Sequence, residues 1–219
     1  MNYHGPVAQK SLSEKPPDLE RTTTVSRLNQ IAPESATGKA KELLDAVKGK
    51  LGLVPNMTRA MANAPAALNG YLQLSGALGQ GALPAKTREQ IALAVAQANG
   101  CDYCLAAHTA IGKMAGLTAD QIRDSRHGTA VDPKTDALVR FARTVVDTKG
   151  RVSGADLQTV RAAGYDDGAI AEVVAHVALN VFTNYFNHVA DTDIDFPKAE
   201  PLVDHHDACA TIPGCDPTR

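Results

Sequence analysis

Apolar residues recur at intervals of three and four along most of the chain, which is the periodicity of amphipathic α-helices. The first such stretch runs from Ser35 to Leu51. Gly and Pro separate eight further helical windows, at about 56–62, 65–79, 85–99, 102–115, 118–125, 134–148, 154–163 and 167–188. Alternation of β-branched residues is almost nowhere long enough to indicate a strand. The sequence therefore predicts an all-α fold.

The two ends of the chain lack this periodicity and predict arms on either side of one helical domain. Residues 1–34 mix prolines, threonines and scattered charges, which indicates an extended arm that wraps a partner subunit or stays mobile. The helical domain is predicted over residues 35–197, and residues 198–219 form a second, proline-rich tail. No internal repeat has a fixed period, which argues against a solenoid.

The tail carries four side chains of metal-ligating type, which are His205, His206, Cys209 and Cys215. Their spacing matches no standard zinc module, and prolines interrupt it. We interpret them as incidental residues of a flexible tail and predict no metal site. A disulfide between Cys209 and Cys215 is the alternative.

Composition and charge argue against several classes of partner. The 219 residues are 44% hydrophobic, enough to bury a core, and 22 basic residues nearly balance 24 acidic ones. Without a dense Lys/Arg stripe we expect no nucleic-acid partner. No stretch approaches the roughly 20 consecutive apolar residues of a membrane span, and residues 1–19 lack the apolar run of a secretory signal. We predict a cytoplasmic protein without membrane contact.

Two cysteines and a histidine cluster at the start of one predicted helix. Asn99 and Gly100 favour the end of the preceding helix, and Cys101 opens the next one. At about 100° per residue, Cys101, Cys104 and His108 share one face of that helix. His108 then lies one turn beyond Cys104.

A carboxylate on the preceding helix is within reach of this face. Glu89 lies about 15 to 16 Å before the turn at a rise of roughly 1.5 Å per residue. If the two helices fold back antiparallel, the Glu89 carboxylate meets the imidazole of His108.

This arrangement is typical of thiol chemistry. Glu89 would orient and charge His108, and His108 would draw the proton from the Cys104 thiol, directly or through a water. Attack of the thiolate on a peroxide gives a sulfenic acid, which Cys101 can convert to a disulfide. We favour Cys104 as the attacker because it lies one turn from His108. Cys101 lies at a helix N-terminus, where we expect the helix dipole to stabilise its thiolate and ease regeneration by thiol exchange.

The spacing of Glu89, Cys101, Cys104 and His108 resembles the core motif of the alkylhydroperoxidase D-like branch of the carboxymuconolactone decarboxylase family. The resemblance covers about residues 47–197. It implies an all-helical fold, assembly as trimers or hexamers, and hydroperoxide reduction with a dithiol or lipoyl-type protein as reductant. It also implies that Cys104 is the peroxidatic cysteine, Cys101 the resolving cysteine, and Glu89 and His108 the proton relay. The redox-active Cys101–Cys104 disulfide would take the place of a cofactor.

The sequence departs from the family pattern at Tyr103, where alkylhydroperoxidase D usually carries a histidine between its cysteines. Two other enzymatic functions stay open. One is a general dithiol-disulfide oxidoreductase whose peroxide turnover is incidental. The other is a cofactor-free decarboxylase or isomerase that uses Glu89 and His108 as acid and base; it would leave the cysteine pair idle, and the decarboxylase branch typically lacks that pair.

A non-enzymatic alternative is a zinc-binding interaction module with Cys101, Cys104 and His108 as three of its ligands. It is disfavoured because three ligands within eight residues of one helix rarely close a tetrahedral site.

The last predicted helix carries a polar stripe. His176, Asn180, Asn184 and His188 follow one another at four-residue spacing, which places them on one face. We interpret the stripe as a solvated face or a subunit contact. The alternative is that it lines the cavity above the thiols.

Overall fold

The computed structural model describes residues 26–202 and contains only helices and connecting segments in that range. Nine helices follow one another: α1 (Gly38–Leu51), α2 (Asn56–Met61), α3 (Pro65–Leu78), α4 (Ala85–Ala98), α5 (Asp102–Met114), α6 (Ala119–Arg126), α7 (Pro133–Asp147), α8 (Gly154–Ala162) and α9 (Asp167–Ala190). The all-α prediction is confirmed. Each helix lies within about three residues of a predicted window because glycines and prolines end the windows in the sequence.

Several helices begin at side-chain caps that satisfy their first backbone N–H groups. Thr118 and Ser153 each form a capping box at the start of α6 and α8. Asp132 and Asp166 accept hydrogen bonds from the first turns of α7 and α9. These local signals fix where the elements start, and packing then fixes their arrangement.

Helix α4 lies at the centre of the fold, in contact with α5, α6, α7 and α9. Its residues 91–96 are all buried, and four of them are alanine or valine, which allows neighbouring helices to approach closely. One apolar cluster joins α1, α2, α3 and α5, and a second joins α4, α7, α8 and α9. The CxxC segment lies in the first cluster.

The described part of the N-terminal arm packs on its own chain. The Arg27 N–H donates to the Ala190 carbonyl at 2.7 Å, and the Ile31 N–H donates to the Arg59 carbonyl at 3.2 Å. Residues 26–34 therefore follow the surface of α2 and the end of α9 of their own chain, and the contact of the arm with a partner subunit stays a prediction. Residues 1–25 and 203–219 lie outside the described residues, and with them the predicted roles of His205, His206, Cys209 and Cys215.

Helix α9 is the one described helix whose length and apolar composition would suffice to cross a membrane. It is also a core helix of this domain, since it packs against α4, α7, α3 and α5. Its buried face carries polar side chains, including His176, Asn180 and Asn184. The buried face of α9 is therefore part of the core of this domain.

Candidate functional site

The turn between α4 and α5 places the two cysteines. Gly100 adopts φ +63°, a left-handed conformation that a glycine takes without steric cost. Cys101 is the N-cap residue of α5, and its carbonyl accepts the Leu105 N–H at 2.9 Å. Cys104 lies in the first turn of the helix. Both cysteines are free thiols with 2% of their surface exposed.

Glu89 on α4 meets His108 on α5, as predicted. The His108 Nδ1 lies 2.8 Å from the Glu89 Oε2, and their side chains are 21% and 17% exposed. Burial acts to lower the pKa of His108, but the charge and hydrogen bond of Glu89, together with the charge of Cys104, raise it above its ordinary value. His108 is therefore held toward its cationic form beside the thiol.

The Cys104 sulfur is surrounded by donors. A hydrogen bond from Cys101 lowers the pKa of the Cys104 thiol most; burial opposes this, and the charge of His108 and the amides of Asn187 and Asn184 bring the pKa to about 6. The Asn187 Nδ2 donates to the Cys104 sulfur at 3.3 Å. The surroundings of Cys104 thus favour its thiolate form.

The pKa of the Cys101 thiol shifts in the opposite direction. Its hydrogen bond to Cys104, followed by burial and the charges of Cys104 and Asp102, raises the pKa of the Cys101 thiol far above its ordinary value. The expectation that the helix N-terminus would stabilise a Cys101 thiolate is therefore wrong. The cause is that the neighbouring thiolate holds the Cys101 proton, and its charge outweighs the helix dipole.

No hydrogen bond joins His108 to Cys104 among residues 26–202. His108 acts on the thiol through its charge, while Cys104 donates weakly to the Thr183 Oγ1 at 4.0 Å when it is protonated. Proton transfer between His108 and Cys104 therefore has no direct hydrogen bond to follow, and the second predicted route, through a water, stays a prediction.

Cys104, His108 and Glu89 line one cavity of about 360 Å³, here called the apolar cavity. Its hydrophobic lining includes Val47, Leu51, Leu72, Ile111 and Phe196. The thiolate and its ion pair therefore meet a space suited to an apolar molecule.

Tyr71 adds a polar group to the apolar cavity. Burial, followed by the charges of Cys104 and Glu89, raises the pKa of Tyr71 to about 12, so its hydroxyl keeps its proton at neutral pH. It is a hydrogen-bond donor facing the same space as the thiolate. A larger cavity of about 720 Å³ between α7 and α8 contains none of these residues.

Cys101 lines a different space of about 500 Å³, here called the polar cavity. Asp102, Tyr103, His188, Asp193 and Lys198 also line it. Tyr103 lines both cavities and lies between them. The two cysteines therefore border different cavities.

The polar stripe on α9 is not a solvated face. His176, Asn180 and Asn184 are buried, because α9 packs with this face against the centre of the fold, whereas His188 is exposed and bonds the Asn99 carbonyl at 3.0 Å. The residue that reaches the Cys104 sulfur is Asn187, one position before His188.

Asn187 and Tyr71 were missing from the predicted site, since they come from α9 and α3 rather than from the CxxC segment. For Asn187 the signal was its place at the end of a stripe of polar residues on an apolar helix. For Tyr71 the sequence carries no such signal. Among residues 26–202, no group of three or more His, Cys, Asp or Glu side chains is arranged to hold a metal ion.

Comparison with known proteins agrees with the resemblance seen in the sequence. Residues 64–148 match the model of the carboxymuconolactone decarboxylase family. This segment contains Glu89, Cys101, Cys104 and His108. The predicted resemblance to this family is confirmed. No curated protein sequence matches the chain.

Solved structures share the fold. A peroxidase-related protein from Ralstonia eutropha JMP134, described as an alkylhydroperoxidase AhpD core, has a TM-score of 0.71 at 24% identity over 78% of this chain and 93% of its own. A peroxidase-related protein from Silicibacter sp. TM1040 has a TM-score of 0.67 at 22% identity over 77% and 91%. The debrominase Bmp8, solved with 2,3,4-tribromopyrrole, has a TM-score of 0.65 at 18% identity over 80% and 93%. The predicted AhpD-like helical fold is confirmed.

Proposed function

We propose that this protein is a cysteine-based hydroperoxide reductase of alkylhydroperoxidase type. The observation that carries the proposal is the Cys104 sulfur, which lies in an apolar cavity beside the Glu89–His108 pair with its pKa lowered to about 6. A buried thiolate next to a charged imidazole has both groups that peroxide reduction needs, a nucleophile and a proton donor. The family match and the peroxidase-related neighbours agree with this assignment.

The first step forms a bond between sulfur and oxygen. The Cys104 thiolate attacks the terminal oxygen of a hydroperoxide, and the O–O bond breaks with its electron pair on the alkoxide. His108 supplies the proton that makes this leaving group an alcohol, and Glu89 stabilises the cationic imidazole before the transfer. Cys104 is then a sulfenic acid, oxidised by two electrons.

The second step closes the disulfide. The Cys101 sulfur attacks the sulfenic sulfur of Cys104, the S–O bond breaks, and the hydroxide takes up the Cys101 proton to leave as water. Cys101 is placed for this reaction because it is the N-cap residue of α5 and lies one turn from Cys104. The high pKa of Cys101 keeps it protonated until the sulfenic acid has formed, so the two cysteines do not compete for the peroxide.

The lining of the apolar cavity favours organic hydroperoxides over hydrogen peroxide. Val47, Leu72 and Phe196 offer apolar contact to an alkyl or aryl group, while the Tyr71 hydroxyl can donate to a peroxide oxygen. A volume of about 360 Å³ suits a substrate of the size of cumene hydroperoxide. We propose this size class as substrate.

Several further properties belong to the same proposal. The enzyme would use no bound cofactor or metal, because the Cys101–Cys104 pair carries the electrons. A dithiol or lipoyl-type protein would return the pair to the reduced state. We also propose that the protein is a cytoplasmic homo-oligomer, a trimer or hexamer, without nucleic-acid or membrane partners.

The test is a thiol count by mass spectrometry before and after one equivalent of cumene hydroperoxide. We expect the wild-type protein to lose two thiols and form one Cys101–Cys104 disulfide, with cumyl alcohol as the product. The Cys104→Ser protein should consume no peroxide, while Cys101→Ser should react once and stop at an oxidised Cys104. Unchanged thiols in the folded wild-type protein would overturn the proposal.

The same samples separate the other functions. A protein that exchanges disulfides with thiol reagents but ignores peroxide would be a general dithiol-disulfide oxidoreductase. Turnover of a carboxylated lactone by the Cys101→Ser, Cys104→Ser double variant would support acid-base chemistry by Glu89 and His108. Release of bromide from a bromopyrrole without peroxide consumption would place the activity with that of the debrominase neighbour.

A further inference from the structure

Two separate cavities border the two cysteines of the CxxC segment. Cys104 lines the apolar cavity, and Cys101 lines the polar cavity. Because each cysteine borders its own cavity, the oxidising and the reducing partner of the pair need not enter the same one.

The wall between these cavities is held on several sides. The Tyr103 hydroxyl donates to the Asp195 Oδ1 at 2.8 Å and accepts the Met57 N–H at 3.2 Å. Its ring packs edge-on against Phe196, with 5.8 Å between the ring centroids. The Asp195 carboxylate also accepts the Asn56 N–H at 2.7 Å. Because these contacts hold Tyr103 in position, a molecule in the polar cavity can approach Cys101 without entering the apolar cavity.

We propose that a thiol reductant approaches the oxidised protein through the polar cavity and attacks the Cys101 sulfur of the Cys101–Cys104 disulfide. The inference rests on the proposed function, which supplies that disulfide. The sulfur of the reductant thiolate bonds to Cys101, the Cys101–Cys104 bond breaks, and its electron pair stays on Cys104 as a thiolate. A second thiolate of the same reductant then attacks the reductant sulfur of the mixed disulfide. Cys101 leaves, takes up a proton, and the reductant departs as a cyclic disulfide.

The chemistry of the leaving group favours this direction of attack. Thiol-disulfide exchange is faster when the departing sulfur is the more stable thiolate. Cys104 is that sulfur, since Asn187 donates to it at 3.3 Å and His108 lies beside it, whereas the same surroundings disfavour a Cys101 thiolate. Attack on Cys104 would also bring a hydrated thiolate into the apolar cavity, where desolvation is costly.

The charges of the polar cavity indicate an uncharged reductant. Asp102 follows Cys101 directly, and its negative charge acts on the Cys101 sulfur. Asp191 and Asp193 also line the cavity, against the cations Arg27 and Lys198, and Arg27 is engaged by Asp191 at 3.7 Å. An anionic thiol meets repulsion near the sulfur, so we expect 2-mercaptoethanol to react faster than 2-mercaptoethanesulfonate at equal thiolate concentration.

The attacked sulfur is identified by trapping the mixed disulfide. The disulfide is formed with diamide, which makes the test independent of peroxide turnover, and the protein is mixed with 2-mercaptoethanol, quenched in acid and mapped by peptide mass spectrometry. We expect the mercaptoethanol adduct on Cys101. An adduct on Cys104 would overturn the inference, whereas a failure of cumene hydroperoxide to form the disulfide would overturn the proposed function alone.

A matched pair of lysines tests the route. Lys198 lines the polar cavity and Lys50 lines the apolar cavity, and both are exposed. With the diamide-oxidised protein at low salt, Lys198→Glu should slow reduction by 2-mercaptoethanesulfonate on the order of threefold, and Lys50→Glu should leave the rate unchanged. A slower reaction in Lys50→Glu with no change in Lys198→Glu would place the reductant in the apolar cavity and contradict the inference.

Discussion

Cys101 and Cys104 lie one helical turn apart, yet their thiol pKa values move in opposite directions. The hydrogen bond from Cys101 to Cys104 is the largest cause of both shifts, since the donor keeps its proton and the acceptor is stabilised as a thiolate. Burial raises the cost of a second negative charge beside the first. The pair therefore divides into one nucleophile and one proton-bearing partner, which is the division of roles that peroxide reduction requires.

The donor role of Cys101 predicts a difference between two substitutions of the same residue. Cys101→Ala removes the donor and should raise the pKa of Cys104 from about 6, while Cys101→Ser keeps an O–H donor and should restore most of the shift. The measurement is the rate of Cys104 alkylation by iodoacetamide as a function of pH. Superimposable profiles for Cys101→Ala and the wild-type protein would show that the hydrogen bond does not set the pKa.

The role of Glu89 predicts a change in pH dependence. With Cys104 titrating near pH 6, its alkylation rate should rise through that pH and level off above it, because the thiolate is the reactive form. Glu89→Gln removes the charge that raises the pKa of His108, so the imidazole loses its proton at lower pH and stabilises the thiolate less. The midpoint for Cys104 should move upward, and peroxide consumption at pH 7 should fall on the order of 100-fold.

The control for this substitution is Glu42→Gln, which breaks an exposed ion pair with Lys39 at 2.8 Å on α1. It should leave both the alkylation profile and the peroxide rate unchanged. An unshifted profile in Glu89→Gln would rule out the carboxylate-imidazole relay.

Helices α4 and α5 are the element that holds the site together. Gly100 turns the chain between them, and Gly112 on α5 faces α4, where an added Cβ would lie 3.8 Å from the Glu89 Cβ and 3.1 Å from the Leu117 Cδ1. The contact with Glu89 would be an ordinary one, whereas Leu117 would have to give way, so Gly112 serves the packing of Leu117 on α5. The turn at Gly100 is therefore the feature of this element that places the cysteines opposite α4.

Alanine substitutions at two glycines separate the cost of backbone strain from a change in the position of the cysteines. Gly100→Ala and Gly150→Ala both place a Cβ at positive φ with no atom within 4 Å of it. Each should lower the free energy of unfolding by about 1 kcal/mol in denaturant titrations. We expect slower Cys104 alkylation in Gly100→Ala only, since Gly150 lies between α7 and α8, outside both cavities. Equal alkylation in both variants would show that this turn does not position the thiols.

Helix positions were predictable because glycines, prolines and caps mark the ends of each element in the sequence. Cys101, Cys104, His108 and Glu89 were predictable because they lie on two consecutive helices, whose spacing alone brings them together. The contribution of Asn187 and Tyr71 was not, since it depends on how α9 and α3 pack against α5. The Cys101 shift was predicted with the wrong sign because it depends on burial and on the charge of its partner, which the sequence does not contain.

At the scale of the whole molecule, α9 combines a buried polar face with an exposed apolar one. Val174, Phe182, Tyr185 and Val189 are 41% to 66% exposed and lie within about 80° of one another around the helix. A contiguous apolar face of this kind is typical of a protein interface. It is the surface that we expect to join copies of this chain.

If the exposed apolar face of α9 joins copies of the chain, a lysine introduced into it should weaken the oligomer. Tyr185→Lys should shift the mass in sedimentation equilibrium from that of an oligomer toward the 23.0 kDa of one chain. Val131→Lys, at an even more exposed apolar residue in a loop, should leave the mass unchanged. A wild-type protein that sediments as a monomer would contradict the expected oligomer, and an unaffected Tyr185→Lys oligomer would place its interface elsewhere.

The identity of Cys104 as the attacking thiol is tested most directly by trapping its sulfenic acid. The Cys101→Ser protein lacks the resolving thiol, so one equivalent of cumene hydroperoxide in the presence of dimedone should give about one dimedone adduct per chain, on the peptide that contains Cys104. The Cys104→Ser protein should give none. A Cys104 peptide without adduct, or an equal adduct on Cys101 in the Cys104→Ser protein, would contradict the assignment.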